Sequence, residues 1–320
     1  MNKYKPKDAT KSPRYCGIRT FMNLPHIKTT KDVDFVVAGV PFDTACTTRV
    51  GARYGPEAIR SASILLRPYN DDMGINIFKY LSGVDYGDFD INPVNLEESI
   101  NLITDQAYEI FKEKVIPIFM GGDHSVSYPL IRAASKTYGK ISVVHFDAHS
   151  DTDEEIWEAK HAHNTPFYNL AEGKMVDTEK SIQIGLRGPT YGEDGLKKAR
   201  ELGYRTLTRK EIRKKGIEKS VEIIKERIKD SEAVYVSFDI DFLDPAYAPG
   251  TGTLEIGGFS TWEAQYMIQE SLRDANLIGM DLVEVNPAFD NKGQITSYAA
   301  SNIMYELITQ VALNKKNKER

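Results

Sequence analysis

Three residues able to bind a metal alternate along Asp147-Ala148-His149-Ser150-Asp151. In an extended segment successive side chains point to opposite faces, so Asp147, His149 and Asp151 point the same way. The β-rich run Ile141-Ser142-Val143-Val144 leads into them. It predicts that they leave the carboxyl end of a buried strand, where open α/β sheets place their active sites. A second stretch is Ser237-Phe238-Asp239-Ile240-Asp241-Phe242-Leu243-Asp244-Pro245. Asp239 and Asp241 share one face there. Two acids leaving an apolar strand together repel each other and resist burial unless a cation neutralises them. Asp244, just before Pro245, reads as a turn-shaping residue. The third stretch is Gly121-Gly122-Asp123-His124-Ser125. Its glycines permit a sharp turn and a close backbone approach. Asp123 suits the N-cap of a following helix, which leaves His124 free to point into a cleft.

Two histidines and four carboxylates, His124, Asp147, His149, Asp151, Asp239 and Asp241, are too many for one tetrahedral zinc. They suit two divalent ions that share carboxylates. The oxygen-rich set with some imidazole points to manganese, and nickel, cobalt or iron also fit such donors. A paired site of this kind activates water and stabilises the negative charge its attack creates.

Positioning residues from three distant stretches requires three strand ends side by side. The sequence predicts about eight strands: 34–40, 81–86, 115–120, 141–146, 181–186, 204–207, 233–238 and 276–283. Helices are expected from Gly55-Pro56-Glu57 onward, with Pro56 at the first helical position, and over 96–114, 125–138, 195–202, 210–229, 261–274 and 295–312. Continuous apolar runs such as Asp34-Phe35-Val36-Val37-Ala38-Gly39-Val40 fit parallel strands buried on both faces. Pro117 within the third strand gives up a ladder donor. The alternation has no linker or composition break, which favours one α/β domain with a mostly parallel sheet and helices on both faces. Residues 1–32 read as an arm lying on the body, 33–313 as the single catalytic domain and 314–320 as a charged, solvated tail.

The motifs GGDHS (121–125), DAHSD (147–151), SFDIDFLDP (237–245) and DLVEVNP (281–287) resemble those of the ureohydrolases, the arginase/agmatinase superfamily, over about Asp34 to Ala312. The resemblance implies a three-layer α/β/α sandwich with an eight-stranded parallel sheet. It implies that all six residues ligate two Mn2+ per chain, with Asp147 and Asp239 bridging. It makes His163, in His161-Ala162-His163-Asn164-Thr165, a proton shuttle, and Glu284 the acid that holds a guanidinium, as a carboxylate can by accepting two parallel N–H bonds. Asp151 passes a proton to the leaving nitrogen by the same analogy. The chain departs from the pattern at His161, at Asn164, where glycine is usual, and at Leu254, where proline is.

The implied reaction is hydrolysis of a small guanidino compound to urea and an amine. Stretches 50–56, 66–70 and 183–187 resemble the agmatinase and guanidino-acid hydrolase branch. Agmatine, giving putrescine and urea, stands first; 4-guanidinobutyrate, 3-guanidinopropionate and guanidine are the alternatives. Acids at Asp153, Glu154 and Glu155 would favour agmatine's distal cation if they face the cleft, and Trp157 would narrow the site for a smaller substrate. A deacetylase of the same architecture uses one zinc in an Asp-His-Asp set, for which His124 and Asp241 are surplus. A silent binding protein on this fold would be expected to have lost ligands. The family norm predicts a homo-oligomer, a trimer or hexamer.

Bulk properties agree. The 320 residues carry a net charge of −5, which argues against nucleic-acid or anionic-membrane partners. No run of about 18 apolar residues suggests a membrane span. Cys16 and Cys46 are the only cysteines, which makes a reduced cytoplasmic setting the simplest expectation.

Overall fold

The computed structural model describes residues 3–318. Ten strands run in chain order: β1 (Phe35–Gly39), β2 (Tyr69–Asn70), β3 (Ile75–Asn76), β4 (Gly83–Asp88), β5 (Ile116–Met120), β6 (Ser142–Phe146), β7 (Ile182–Leu186), β8 (Arg205–Thr208), β9 (Val234–Asp239) and β10 (Leu277–Val283). β2 and β3 form a small hairpin. The other eight, those expected from the sequence, make one sheet in the order β4-β1-β5-β10-β9-β6-β7-β8. Every pair in it is parallel. The last strand of the chain, β10, lies between β5 and β9.

Nine helices occur among the described residues: α1 (Gly55–Ser63), α2 (Leu96–Phe111), α3 (Ser127–Tyr138), α4 (Pro166–Glu172), α5 (Lys197–Glu201), α6 (Arg209–Lys215), α7 (Ile217–Ile228), α8 (Thr261–Ser271) and α9 (Ile295–Lys318). Strand residues alternate between two cores. Val37, Ile118, Phe146 and Phe238 pack with α1, α7, α8 and α9 on one face. Val36, Phe119, Val143 and Tyr235 pack with α2, α3 and α4 on the other. The result is the three-layer α/β/α sandwich.

Pro117 costs little, because β5 pairs with β10 only from Ile118↔Met280 onward, one residue past the proline. Four local features differ from expectation. The helix expected over 210–229 is broken at Gly216, whose φ of +88° suits glycine and separates α6 from α7. α4 was not expected, although Pro166 at its start is a recognised signal. α9 runs past Ala312 to Lys318. Asn314 holds it there by accepting from the Asp274 N–H and donating to the Ala275 carbonyl, while Lys315 pairs with Asp34 at 2.6 Å. Residues 319–320 of the expected tail lie outside the described residues. At the other end, Phe21, Met22 and Leu24 enter the core, and the Phe21 N–H donates to Asp85, which Arg60 also grips.

Candidate active site

The loops following β5, β6, β9 and β10 meet at the carboxyl edge of the sheet. After β5 the chain turns at Gly121-Gly122. A Cβ on Gly122 would lie 1.6 Å from the Phe42 carbonyl oxygen, so only glycine lets the two backbones pass. Asp123 caps the next turn by accepting from the Ser125 N–H, and His124 is wholly buried. After β6, Asp147 accepts the His149 N–H at 2.5 Å. Asp151 has a left-handed φ of +48°, and its carbonyl accepts the Phe167 N–H from α4. After β9, Asp239 accepts the Asp241 N–H and Asp241 accepts the Ala148 N–H. The carboxylates of Asp147, Asp239 and Asp241 are thus each set by a backbone donor.

The six residues expected from the sequence fall into two touching groups. His124 Nδ1 lies 2.9 Å from Asp151 Oδ2, 3.1 Å from Asp147 Oδ2 and 3.3 Å from Asp239 Oδ2. His149 Nδ1 lies 3.0 Å from Asp241 Oδ2 and 3.5 Å from Asp147 Oδ1. Asp147 belongs to both groups, one oxygen to each. Burial, together with the charges of Asp241 and Asp147, drives the Asp239 carboxyl well above the usual range. Burial and Asp147 likewise raise Asp241.

The residues fit a cation. His124 Nε2 meets Ser237 Oγ at 3.0 Å, and that hydroxyl donates to Asp281 at 2.6 Å. With its one proton given to Asp281, Ser237 must accept from His124 Nε2–H. Nδ1 is then the ring's free position. It is a buried polar atom without a hydrogen-bond partner, because none of the three nearby oxygens is in line for such a bond. A nitrogen lone pair and three carboxylate oxygens that converge without a hydrogen bond between the nitrogen and any of the oxygens is the arrangement a metal ion satisfies. Burial alone would discharge His124, but with no ion present the Asp147, Asp151 and Asp239 carboxylates draw a proton onto it and raise its pKa well above normal.

Glu284 and His163 lie beside this cluster. Glu284, with φ +65°, accepts the His124 N–H at 2.9 Å through Oε1. Its other oxygen faces Gly252, where a Cβ would sit 3.5 Å away. His163 has Nδ1 3.6 Å from Glu284 Oε1 and Nε2 2.8 Å from Thr47 Oγ1. Burial opposes its charge, yet Glu284, backed by Asp151 and Asp123, pushes its pKa up to about 9.

The loop between β6 and α4 settles several open points. Asn164 donates to Asp153 at 2.7 Å, closing the loop base. Glu154 lies 3.7 Å from Lys198 on α5, so both acids have a partner within the protein. His161 packs on the Tyr128 ring at 4.9 Å and takes no part in the cluster. Trp157 is 80 % exposed at the tip of a turn closed by the paired Ile156–Ala159 hydrogen bonds. Asp244 shapes its turn by accepting from Ala246, Gly257 and Gly258.

Sequence reasoning missed a buried polar row one level below the cluster. Gln183, His145, Ser237 and Asp281 are register partners across β7, β6, β9 and β10, and all four are fully buried. Tyr235 adds a donor to Asp281 at 2.9 Å. One signal was available: His145 continues the alternation of Asp147, His149 and Asp151.

The Arginase family model matches residues 33–309. The chain belongs to the arginase family. It is 38% identical over 310 residues to the guanidinobutyrase of Pseudomonas aeruginosa, covering 96% of each chain. It is 35% identical over 303 residues to the mitochondrial agmatinase of Gallus gallus, covering 95% of this chain and 88% of the relative. The crystal structure of proclavaminate amidino hydrolase from Streptomyces clavuligerus superposes with a TM-score of 0.90 at 37% identity, over 95% of this chain and 100% of that one. The arginase-family fold therefore covers the whole cluster. Among the described residues no helix is long and apolar enough to cross a membrane.

Proposed function

We propose that this arginase-family protein hydrolyses the guanidino group of a small compound, agmatine or a guanidino acid, to urea and an amine. The observation that carries the proposal is the convergence of His124 Nδ1 and three carboxylate oxygens on one point, with Asp147 turning its second oxygen to His149 and Asp241. We assign His124, Asp147, His149, Asp151, Asp239 and Asp241 as ligands of two divalent ions, manganese first. Bound there, the ions would supply an activated water and offset developing negative charge.

The chain's own residues do the rest. Glu284, with Oε1 pinned by the His124 N–H and Oε2 open toward Gly252, receives the guanidinium N–H groups and holds its central carbon over the cluster. Asp151 takes the proton released by the attacking water and passes it to the departing nitrogen, because an amine of high pKa does not leave as its anion. His163, with Thr47 at one ring nitrogen and Glu284 at the other, carries protons between site and solvent. The substrates share the head group that these residues read and differ in the charge at the far end. Of the acids at 153–155, Asp153 and Glu154 have partners in Asn164 and Lys198, so agmatine and the guanidino acids are proposed together.

The test is urea release by metal-loaded protein on agmatine, 4-guanidinobutyrate, 3-guanidinopropionate, arginine and guanidine, with manganese and with nickel in parallel. Urea from one of them with about two ions per chain is the expected result. A filled metal site that releases urea from none would overturn the reaction and leave the fold.

A further inference from the structure

His145 lies close enough to the cluster to be counted among its ligands. Its ring, with His124 and Asp147, forms a fully buried group that could hold an ion. The contacts of the ring decide otherwise. Gln183 Nε2 lies 2.5 Å from the Ser150 carbonyl oxygen, which only the amide's N–H side can approach. The same NH2 group lies 3.1 Å from His145 Nδ1. Its second hydrogen therefore donates into Nδ1, and the imidazole proton sits on Nε2. Nε2 in turn is 2.7 Å from Asp147 Oδ2. Phe167 stacks on the ring at 4.0 Å and 28°, and the ring has no solvent exposure, so it cannot turn to offer another edge.

We infer that His145 is a positioning residue, locked by Gln183 as the Nε2–H tautomer, that donates to Asp147 Oδ2 and is thereby kept out of the ligand set. This rests on the metal-site reading proposed above. Asp147 serves both groups, so its orientation must be fixed about its own axis. Two donors fix it: the His149 N–H on Oδ1 and His145 Nε2–H on Oδ2. Ser237 and Asp281 set His124 from the other side of the same polar row. Hydrogen-bond partners behind metal ligands are typically worth about 10–100-fold in metal affinity.

The test uses the full chain, stripped of metal and titrated with manganese by calorimetry, as wild type, His145→Ala and His145→Gln. Gln supplies an N–H near the Nε2 position and no nitrogen lone pair. The expected result is two ions in all three proteins, affinity lowered about 10–100-fold in His145→Ala, and most of it restored in His145→Gln. Loss of one ion in both variants would make His145 a ligand and overturn the inference, as would unchanged affinity in His145→Ala. Wild type that binds no manganese would instead overturn the metal-site reading itself. If His145→Ala fails to fold, two-bond proton–nitrogen spectra of 15N-histidine wild type still decide. The chain has six histidines, and the His145 signal is the one absent from His145→Gln. An Nε2–H pattern supports the inference and an Nδ1–H pattern overturns it.

Discussion

Ser237→Ala removes one oxygen and separates two accounts of the buried polar row. The hydroxyl accepts from His124 Nε2–H at 3.0 Å and donates to Asp281 at 2.6 Å. His124 and Asp281 have no solvent exposure, so water does not replace it. A buried donor left unpaired costs about 1–3 kcal/mol. In metal-free protein His124 also carries a proton on Nδ1, drawn there by Asp147, Asp151 and Asp239, and it escapes that cost by releasing the one on Nε2. That leaves the metal-free protein close to its original stability and keeps the remaining proton on the nitrogen that an ion would have to bind. The loss should therefore appear as metal affinity, down about 10–100-fold, or about 1.4–2.7 kcal/mol. In a chain of 320 residues each kcal/mol moves the melting point by about 1–2 °C. Scanning calorimetry with and without manganese should show the metal-induced rise shrinking by about 2–4 °C, with a smaller change in the metal-free melt. Unchanged affinity beside a large metal-free destabilisation would refute the reasoning and make Ser237 a packing residue.

Other outcomes follow from the same geometry. His163→Ala should keep its metal content and slow urea release about 10²–10⁴-fold; an unchanged rate removes the shuttle role. His163 has a raised pKa of about 9 beside Glu284. The stability of that pair is present in full below the ordinary imidazole value of about 6.5 and is lost as pH rises through about 9. In metal-free protein, denaturant midpoints of wild type minus Glu284→Gln should fall across that window, and a flat difference would deny the coupling. Burial, then the Glu284 charge, pushes the Cys46 thiol up to about 12, whereas Cys16 is exposed. Iodoacetamide at pH 8 should label Cys16 alone by mass spectrometry. Arg60 joins buried Asp85 at 2.8 Å and Asp88 at 2.6 Å. Arg60→Met strands the Asp85 charge and should cost about 3–5 kcal/mol in denaturant unfolding.

All eight expected strands appear; the sequence displayed the six inner ones as apolar runs because parallel strands are buried on both faces, whereas the edge strands β4 and β8 are more polar and less buried. It displayed His124, Asp147, His149, Asp151, Asp239 and Asp241 because polar residues at the ends of such runs have few other reasons to be there. Gln183, Ser237 and Asp281 were hidden because their partners lie on other strands. Ser237 answers His124 across 113 positions, and no local pattern encodes that. Left-handed φ at Asp151 and Glu284 was also invisible. Such conformations ordinarily signal glycine or asparagine and cost a carboxylate residue of order 1–3 kcal/mol. They are tolerated here because the Phe167 and His124 N–H groups hold these two residues in place.

Strand β10 occupies the centre of the sheet although it is made last. When the ribosome has passed Asp241, every proposed ligand has been synthesised. In the finished sheet the strands made by then form two rafts, β4-β1-β5 and β9-β6-β7-β8, one on each side of β10. His124 rides on the first raft, and Asp147, His149, Asp151, Asp239 and Asp241 ride on the second. Residues 277–283 bond to both rafts and fix their relative height. The group of His149, Asp147 and Asp241 lies on one side of β10, whereas the group around His124 draws residues from both sides and is assembled only across that strand.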